Sequence, residues 1–175
     1  MQMSRRMNIA VKPYVSAAPS LRDAMRQVAG GISVVTAGTG IERTGLTVTS
    51  AVSLSLEVPT MMVSVNRTAS AWPIIQKYRH FCVNFLAADQ REVADRFAGK
   101  DGVKGAARYE TARWEALETG ALALEGAIAS VDCQVEELIE RHSHVIVLGT
   151  VQAVRLLGGE PLVYSRGRYG GFAPA

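Results

Sequence analysis

Apolar and polar residues alternate most regularly between Gly45 and Pro59, in the stretch GLTVTSAVSLSLEVP. Thr47, Thr49, Ala51, Ser53 and Ser55 share one parity; Val48, Ser50, Val52, Leu54 and Leu56 share the other. A period of two marks a strand with unlike faces, and it predicts one continuous strand that turns its Val/Leu parity toward a core. The opposite parity carries small hydroxyls and no charge before Glu57, where a solvent-facing strand ordinarily carries Lys, Glu or Arg.

Upstream, ISVVTAG reads as a strand and TGIERTG as the turn that joins it to the alternating stretch in a hairpin. Pro59 ends that stretch, and TMMVSVNR resumes as a third strand with Met62, Ser64 and Asn66 on one parity. HFCVNFLA is a strand rich in aromatic and β-branched residues. From Ala121, ALALEGAIASVDCQVEELIER, broken near Gly126, and then HSHVIVLGTVQAVRLL supply three more strands, and GGEPLVYSRGRYGGF returns as a short extended segment.

Helical spacing occurs in three places. SLRDAMRQVAGG predicts a helix with Ser20 as N-cap, Leu21, Met25 and Val28 on one face, and Gly30-Gly31 as the stop. SAWPIIQKY predicts a short helix capped by Ser70 with Pro73 in its first turn. DQREVADRFAG predicts another, capped by Asp89, with Val93 and Phe97 one turn apart and Gly99 at its end. The segment KDGVKGAARYETARWEAL has no clear period. Strands joined by short turns, with few short helices, point to a mainly β fold: an antiparallel barrel with peripheral helices rather than a βαβ sheet. At 175 residues the chain suits one core. Residues 1–19 read as a flexible arm and 20–175 as a single domain.

Composition changes this picture little. A net charge of +3 is a mildly basic surface, without the clustered basic face that nucleic-acid binding requires. Cys82 and Cys133 lie in apolar strand-like runs, outside any CxxC or metal-ligand spacing, and suit buried reduced thiols in a cytoplasmic protein. No apolar run reaches the ~20 residues that span a bilayer, and the N-terminus lacks the apolar core of a secretory signal.

Familiar catalytic motifs are missing: there is no GxGxxG after a strand, no GxxxxGK[ST], no HExxH and no GxSxG. A small barrel without its own nucleophile suits chemistry supplied by a bound cofactor. The hydroxyl parity of the alternating strand fits that idea, because a planar heteroaromatic ring needs short donors and close access to the backbone. The alternative is an interface strand whose hydroxyls pair with a neighbouring strand. In VNRTAS, Asn66 ends a strand, Arg67 is a charged donor, and Thr68 and Ser70 stand at the entrance to a helix, an arrangement suited to phosphate. Solvated cap residues are the plain alternative. FAGKDGVKG brings Lys100 and Lys104 together around glycines, either to close over an anion or as an ordinary basic loop. His144 begins an apolar strand, where it could donate to a ligand carboxamide or simply end the strand. The tail places Arg166, Arg168 and two tyrosines among glycines, over a ligand or over a barrel end.

In order along the chain, GLTVTSAVSLSLEVPTMMVSVNRTASAWPII, FCVNFLAADQREVADRFAG, HVIVLGTV and PLVYSRGRYGGF resemble the flavin reductase-like family of FMN-binding split-barrel proteins. The resemblance runs from about Met25 to Phe172. It implies a Greek-key type split β-barrel, homodimeric, that binds FMN, or sometimes FAD, near the subunit interface. It implies NADH or NADPH as electron donor and release of reduced flavin to a separate flavin-dependent oxygenase. By position, the segment Thr47, Val48, Thr49, Ser50, Ala51 and Ser53 would line the isoalloxazine and ribityl chain. Asn66, Arg67, Thr68 and Ser70 would lie by the ribityl phosphate, with Lys100 as a further phosphate contact. His144 matches the histidine on the nicotinamide side, and Tyr169 falls in the C-terminal segment that approaches the same pocket. The family often has Gly-Asp before that histidine; here His142-Ser143 stands there, so a carboxylate that would orient the imidazole is missing. That departure motivates the alternative of a non-catalytic FMN-binding or redox-sensing module.

Overall fold

The computed structural model describes residues 19–173; the arm expected over 1–19 falls, but for its last residue, outside the described residues. In chain order the elements are α1 (Leu21–Met25), β1 (Gly30–Gly31), β2 (Ser33–Ala37), β3 (Thr44–Val48), β4 (Ala51–Ser55) and β5 (Thr60–Asn66). There follow α2 (Trp72–Tyr78), β6 (His80–Phe85), α3 (Arg91–Phe97), β7 (Trp114–Ala116), β8 (Leu122–Leu124), β9 (Ala129–Arg141), β10 (His144–Leu156), β11 (Val163–Ser165) and β12 (Arg168–Gly170). Short 3-10 turns cover Gly40–Glu42 and Gly105–Tyr109.

Seven strands form one antiparallel sheet in the order β3-β2-β6-β9-β10-β5-β4. Its two edges, β3 and β4, are consecutive in the chain and are joined only by Thr49 and Ser50. Three extended steps reach at most roughly 11 Å, so the sheet must curl until its edges almost meet. The barrel thus closes through a covalent link rather than a ladder, which makes it a split barrel. Its interior is one cluster drawn from six of the seven strands and α2, including Val35, Val63, Val83, Phe81, Val135, Val145, Val147 and Ile75.

This topology corrects the single strand expected over the alternating stretch. β3 pairs with β2, ending at Val48 opposite Ser33, whereas β4 pairs with β5, starting at Ala51 opposite Val63. Alternation continues across the junction and conceals it. The Val/Leu parity does not all reach the core: Val48 is buried, but Val52, Leu54 and Leu56 are 45%, 56% and 84% exposed. As an edge strand β4 leaves both faces open, and its register slips between Ser53 and Ser55, so Leu54 is an extra, bulged residue.

β2 is buried at every position. Val35 and Ala37 point into the barrel, while Ile32 and Val34 lie in a second cluster under α3 with Val93, Phe97, Tyr109 and Leu162. Two covered faces explain the uninterrupted apolar run. Asn84 stitches β8 onto the barrel with every hydrogen-bonding group satisfied: its amide donates to the carbonyls of Val34 and Leu122, and its oxygen accepts from Leu124 N–H and Ser130 Oγ–H.

The helices are shorter than their patterns suggest. α1 stops at Met25, closed at its start by a capping box between Ser20 and Asp23. Gly30-Gly31 is not its stop but a strand that pairs with β11. α2 begins at Trp72 with Ala71, not Ser70, in the cap position, because successive turns from Asn66 to Ala69 and Ala69 to Trp72 carry the chain into it. α3 likewise starts beyond Asp89: Gln90 holds the cap position, and its side chain accepts from Ala87 N–H and donates to the Glu125 carbonyl. The C-terminal extended segment is a hairpin, β11–β12.

Candidate functional site

Three separated motifs meet at the end of the barrel where β3 passes into β4. Ser50 Oγ donates to the Ser64 carbonyl of β5 at 3.0 Å. One residue pair further out on the same face, Asn66 stands opposite His144, the first residue of β10. Arg67 N–H donates to the Ser143 carbonyl at 2.9 Å, so the loop after β5 is tied to the β9–β10 turn. Thr49 and Ser50 lie outside both ladders, and their backbone is not committed to strand pairing.

The Asn66–Ser70 loop is shaped by one side chain. Asn66 Oδ1 accepts from both the N–H and the Oγ–H of Thr68, each at 2.9 Å, an Asx turn that replaces strand pairing with a local bend. Arg67, Thr68 and Ser70 are exposed along it. The Arg67 guanidinium rests 3.4 Å from Glu140, both side chains about half exposed. Such a surface pair is worth only about 0–1 kcal/mol, so an anion can recruit the guanidinium at little cost. His144 is exposed, and its Nδ1 lies 2.9 Å from Ser143 Oγ. Ser143 therefore fills locally the place of the missing carboxylate, as a neutral partner.

Not every residue of the hydroxyl strand turns toward this open face. Thr47 Oγ1 donates to the Ala94 carbonyl at 2.6 Å, pinning α3 to the barrel, and Val48 belongs to the core. Their side chains are structural, which leaves Thr49, Ser50, Ala51 and Ser53 to present the uncharged edge.

Lys100 and Tyr169 form a separate cluster around Asp95 of α3. Asp95 accepts hydrogen bonds from Lys100 Nζ and Tyr169 Oη, and Lys100 and Arg91 both lie over the Tyr169 ring. Desolvation alone would raise the Asp95 carboxyl, but the two hydrogen bonds outweigh it and hold it below the ordinary carboxylate range. Lys100 is correspondingly raised by its bond to Asp95, so its ammonium is already neutralised within the chain. Arg91, Arg96, Lys100, Glu92, Asp95 and Asp101 together line a cavity of about 520 Å³ of mixed charge.

A second cavity, of about 530 Å³, adjoins Thr49 and is lined by Arg22, Met25, Arg26, Val28, Gly30, Tyr164, Arg166 and Gly167. Sequence reading gave Arg22 and Arg26 no role; their spacing of four, which sets both on one helix face, was the available signal.

The cysteines take no part. Both are free and buried, and burial raises the Cys82 thiol well above its usual range and pushes Cys133 up to about 12. Among the described residues no cluster of His, Cys, Asp or Glu is placed to hold a metal, and no helix is long and apolar enough to cross a membrane.

Residues 25–173 match the family model described as a flavin reductase like domain. Among curated proteins, an FMN reductase (NADH) of Rhizobium rhizogenes, RutF 2, is 36% identical over 85% of this chain and 85% of its own. Its namesake in Methylorubrum extorquens is 35% identical over 92% of this chain and 93% of its own. Among solved structures, the NADH:FAD oxidoreductase SgcE6 of Streptomyces globisporus superposes with a TM-score of 0.81 at 31% identity, covering 93% of this chain and all of that one (100%). BorF, the flavin reductase component of a bacterial two-component tryptophan halogenase, superposes with a TM-score of 0.81 at 28% identity, over 89% of this chain and 98% of its own.

Proposed function

Because the chain belongs to the flavin reductase-like family, we propose that it is an NAD(P)H-dependent flavin reductase that delivers reduced FMN or FAD to a separate monooxygenase. The observation that carries this reading is the register that sets Asn66 opposite His144, beside the Ser50–Ser64 contact and the uncharged β3–β4 junction. The residues present fit a flavin: short hydroxyls and free backbone at Thr49–Ser53 for the ring and ribityl chain, and Arg67, Thr68 and Ser70 for the phosphate.

Bound flavin and reduced nicotinamide supply the hydride acceptor and donor. The protein's part is to hold and orient them, since orientation alone can contribute several kcal/mol. The Thr49 hydroxyl and the backbone N–H groups of Thr49 and Ser50, which lie outside both ladders, offer donors toward charge that develops on a ring bound there. Asn66 fixes the loop that carries the phosphate contacts. His144, with Ser143 Oγ rather than a carboxylate at its Nδ1, would offer its other ring nitrogen as a polar contact to whatever lies over the flavin. No buried acid, base or thiol is required.

A homodimer belongs to the same proposal. β4 exposes both faces and carries Val52 and Leu54, with Leu56 just beyond it, while Leu156 at the far end of β10 and Leu157 next to it are 79% and 70% exposed. Such apolar surface is suited to a second copy of the chain. Two unpaired, buried thiols suit a reducing, cytoplasmic setting. The deciding experiment mixes purified protein with FMN or FAD and with NADH or NADPH and follows the nicotinamide absorbance band. Flavin-dependent oxidation with at least one donor is expected. A tightly bound flavin that neither donor bleaches would instead identify a binding module.

A further inference from the structure

Two residues, His142 and Ser143, close the hairpin between β9 and β10, and Arg141 and His144 pair across its mouth. A two-residue turn asks for a positive φ at its first position, which glycine adopts with least strain; His142 takes it, with φ of 50°. The turn is fastened at three points. Val145 and its partner Val65 are fully buried at its base. Arg67 N–H donates to the Ser143 carbonyl at 2.9 Å, and Ser143 Oγ lies 2.9 Å from His144 Nδ1. Ser143 thus has its backbone tied to the loop proposed for the flavin phosphate and its side chain tied to the next residue's ring.

The surroundings decide which group gives the proton. An imidazole lone pair accepts more strongly than a hydroxyl oxygen, and a hydroxyl can rotate to point its hydrogen at it. The Glu140 carboxylate, an acceptor that could otherwise compete for an Nδ1–H, is engaged by the Arg67 guanidinium at 3.4 Å. The other charged or titratable groups of the turn are His142 and Arg141, whose Nη1 donates to the Glu140 carbonyl.

A Ser143 hydroxyl that donates to Nδ1 leaves the hydrogen of an uncharged ring on Nε2. When the ring is charged, the hydroxyl turns and accepts from Nδ1–H, so an Nε2–H is present in both states. A carboxylate in that place only accepts, and it would strip Nε2 of its hydrogen whenever the ring is uncharged.

We infer that Ser143 is a positioning residue, which holds His144 as a standing Nε2–H donor to the carboxamide oxygen of the nicotinamide donor, whatever the charge on the ring. The inference rests on the flavin reductase reading, in which His144 lies on the nicotinamide side. Both residues are exposed, so the contact matters most once a dinucleotide covers the turn, because an Nδ1 cut off from water and from any partner weakens binding.

The test compares wild type with Ser143→Ala, Ser143→Thr and Ser143→Asp in two arms. The first is long-range proton–nitrogen NMR of the full chain at about pH 8.5, well above the ordinary imidazole value of about 6.5. The chain has three histidines, and His144→Gln identifies the pattern that belongs to His144. Wild type and Ser143→Thr should carry the hydrogen on Nε2, and Ser143→Asp should carry it on Nδ1. The second arm is steady-state kinetics at saturating FMN with NADH and NADPH. Ser143→Ala should raise KM for the donor about three- to tenfold, as loss of one hydrogen bond predicts, with FMN affinity unchanged, and Ser143→Thr should restore it. Between about pH 6 and 9 the KM of wild type should stay level, whereas that of Ser143→Asp should climb as the ring loses its charge. A hydrogen on Nδ1 in wild type, a KM that ignores the hydroxyl, or an FMN affinity that falls in step with the KM rise overturns the inference. A protein that oxidises neither donor sinks the reductase reading instead, and the NMR arm then decides alone whether Ser143 sets the ring.

Discussion

Replacing Asn66 separates the shape of the phosphate loop from its charge. Asn66 Oδ1 holds the Thr68 N–H and hydroxyl at 2.9 Å each. Asn66→Asp preserves both bonds, because a carboxylate oxygen accepts equally well, so the fold should melt within a degree or two of wild type. It also places a negative charge at the loop proposed to take the flavin phosphate. Two unit charges about 4 Å apart interact by roughly 1 kcal/mol in water-like surroundings and roughly 4 kcal/mol at the intermediate dielectric of a protein surface. Arg67, Thr68 and Ser70 are all exposed, so the lower figure applies. With roughly 1.5 to 2 charges on the phosphate, the penalty is about 1.5–2 kcal/mol, a ten- to thirtyfold weaker FMN affinity. Asn66→Ala does the reverse: it removes the Asx turn, costing about 1–2 kcal/mol of stability, and adds no charge.

Fluorescence quenching of FMN and of riboflavin, which lacks the phosphate, reads the difference. Asn66→Asp should weaken FMN and leave riboflavin unmoved, and the FMN penalty should shrink near 1 M salt, where the screening length falls to about 3 Å. Equal losses for FMN and riboflavin, or an FMN affinity that ignores the charge, would refute the placement of the phosphate at Arg67–Ser70.

Three further outcomes follow from the packing. Burial lowers the pKa of His80, a shift that the nearby Asp132 opposes, and its Nε2 has no partner. Because the unfolded chain takes up a proton that the folded chain refuses, stability should be full at neutral pH and decline below the ordinary imidazole range near 6.5; His80→Gln should flatten that decline in melts between pH 8 and 5, and parallel curves would refute it. A Cβ at Gly149 would lie 2.5 Å from the fully buried Phe81 ring and 2.9 Å from Cys133 Cβ, so Gly149→Ala should cost about 1–3 kcal/mol in denaturant unfolding through overpacking. Leu54→Arg puts charge on the bulge of β4 and, if the proposed homodimer forms through that strand, should shift wild-type dimer to monomer in sedimentation at micromolar concentration; a wild-type monomer, or a variant with the wild-type dimer mass, would refute that interface.

Existence of strands was legible because β-branched runs and period-two alternation report local burial. What each strand pairs with was not. Val48 is the last residue paired with β2 and Ala51 the first paired with β5, yet Thr49 and Ala51 keep one parity across the link, so the pattern shows no break. The one local clue was Ser50, a hydroxyl in the apolar parity, which bonds the Ser64 carbonyl at the junction. Caps were misplaced for a related reason. Ser70 and Asp89 are good cap residues, yet the turns before α2 and α3 are organised by the side chains of Asn66 and Gln90, whose partners propensity does not reveal. The arginine cavity gathers α1 and the C-terminal hairpin, whose contact only the folded chain creates.

The uncharged edge then takes on a sharper meaning. An edge strand without Lys, Glu or Pro is a template for unwanted pairing, and natural sheets normally blunt such edges. β4 has a bulge at Leu54 but no charge on either face, with Val52 and Leu54 on one side and Ser53 on the other. The two faces are chemically unlike, so a single occupant does not suit both. Small hydroxyls and free backbone suit a polar heteroaromatic ligand, while the Val/Leu row suits a second protein surface. On this reading the strand avoids charge because both of its faces are meant to be covered. The flavin and the partner subunit would then be coupled through the same five residues: loss of the dimer in Leu54→Arg should weaken flavin binding as well, although Leu54 points away from the hydroxyl face. Flavin affinity that stays at the wild-type level in a fully monomeric variant would show that the two faces act independently.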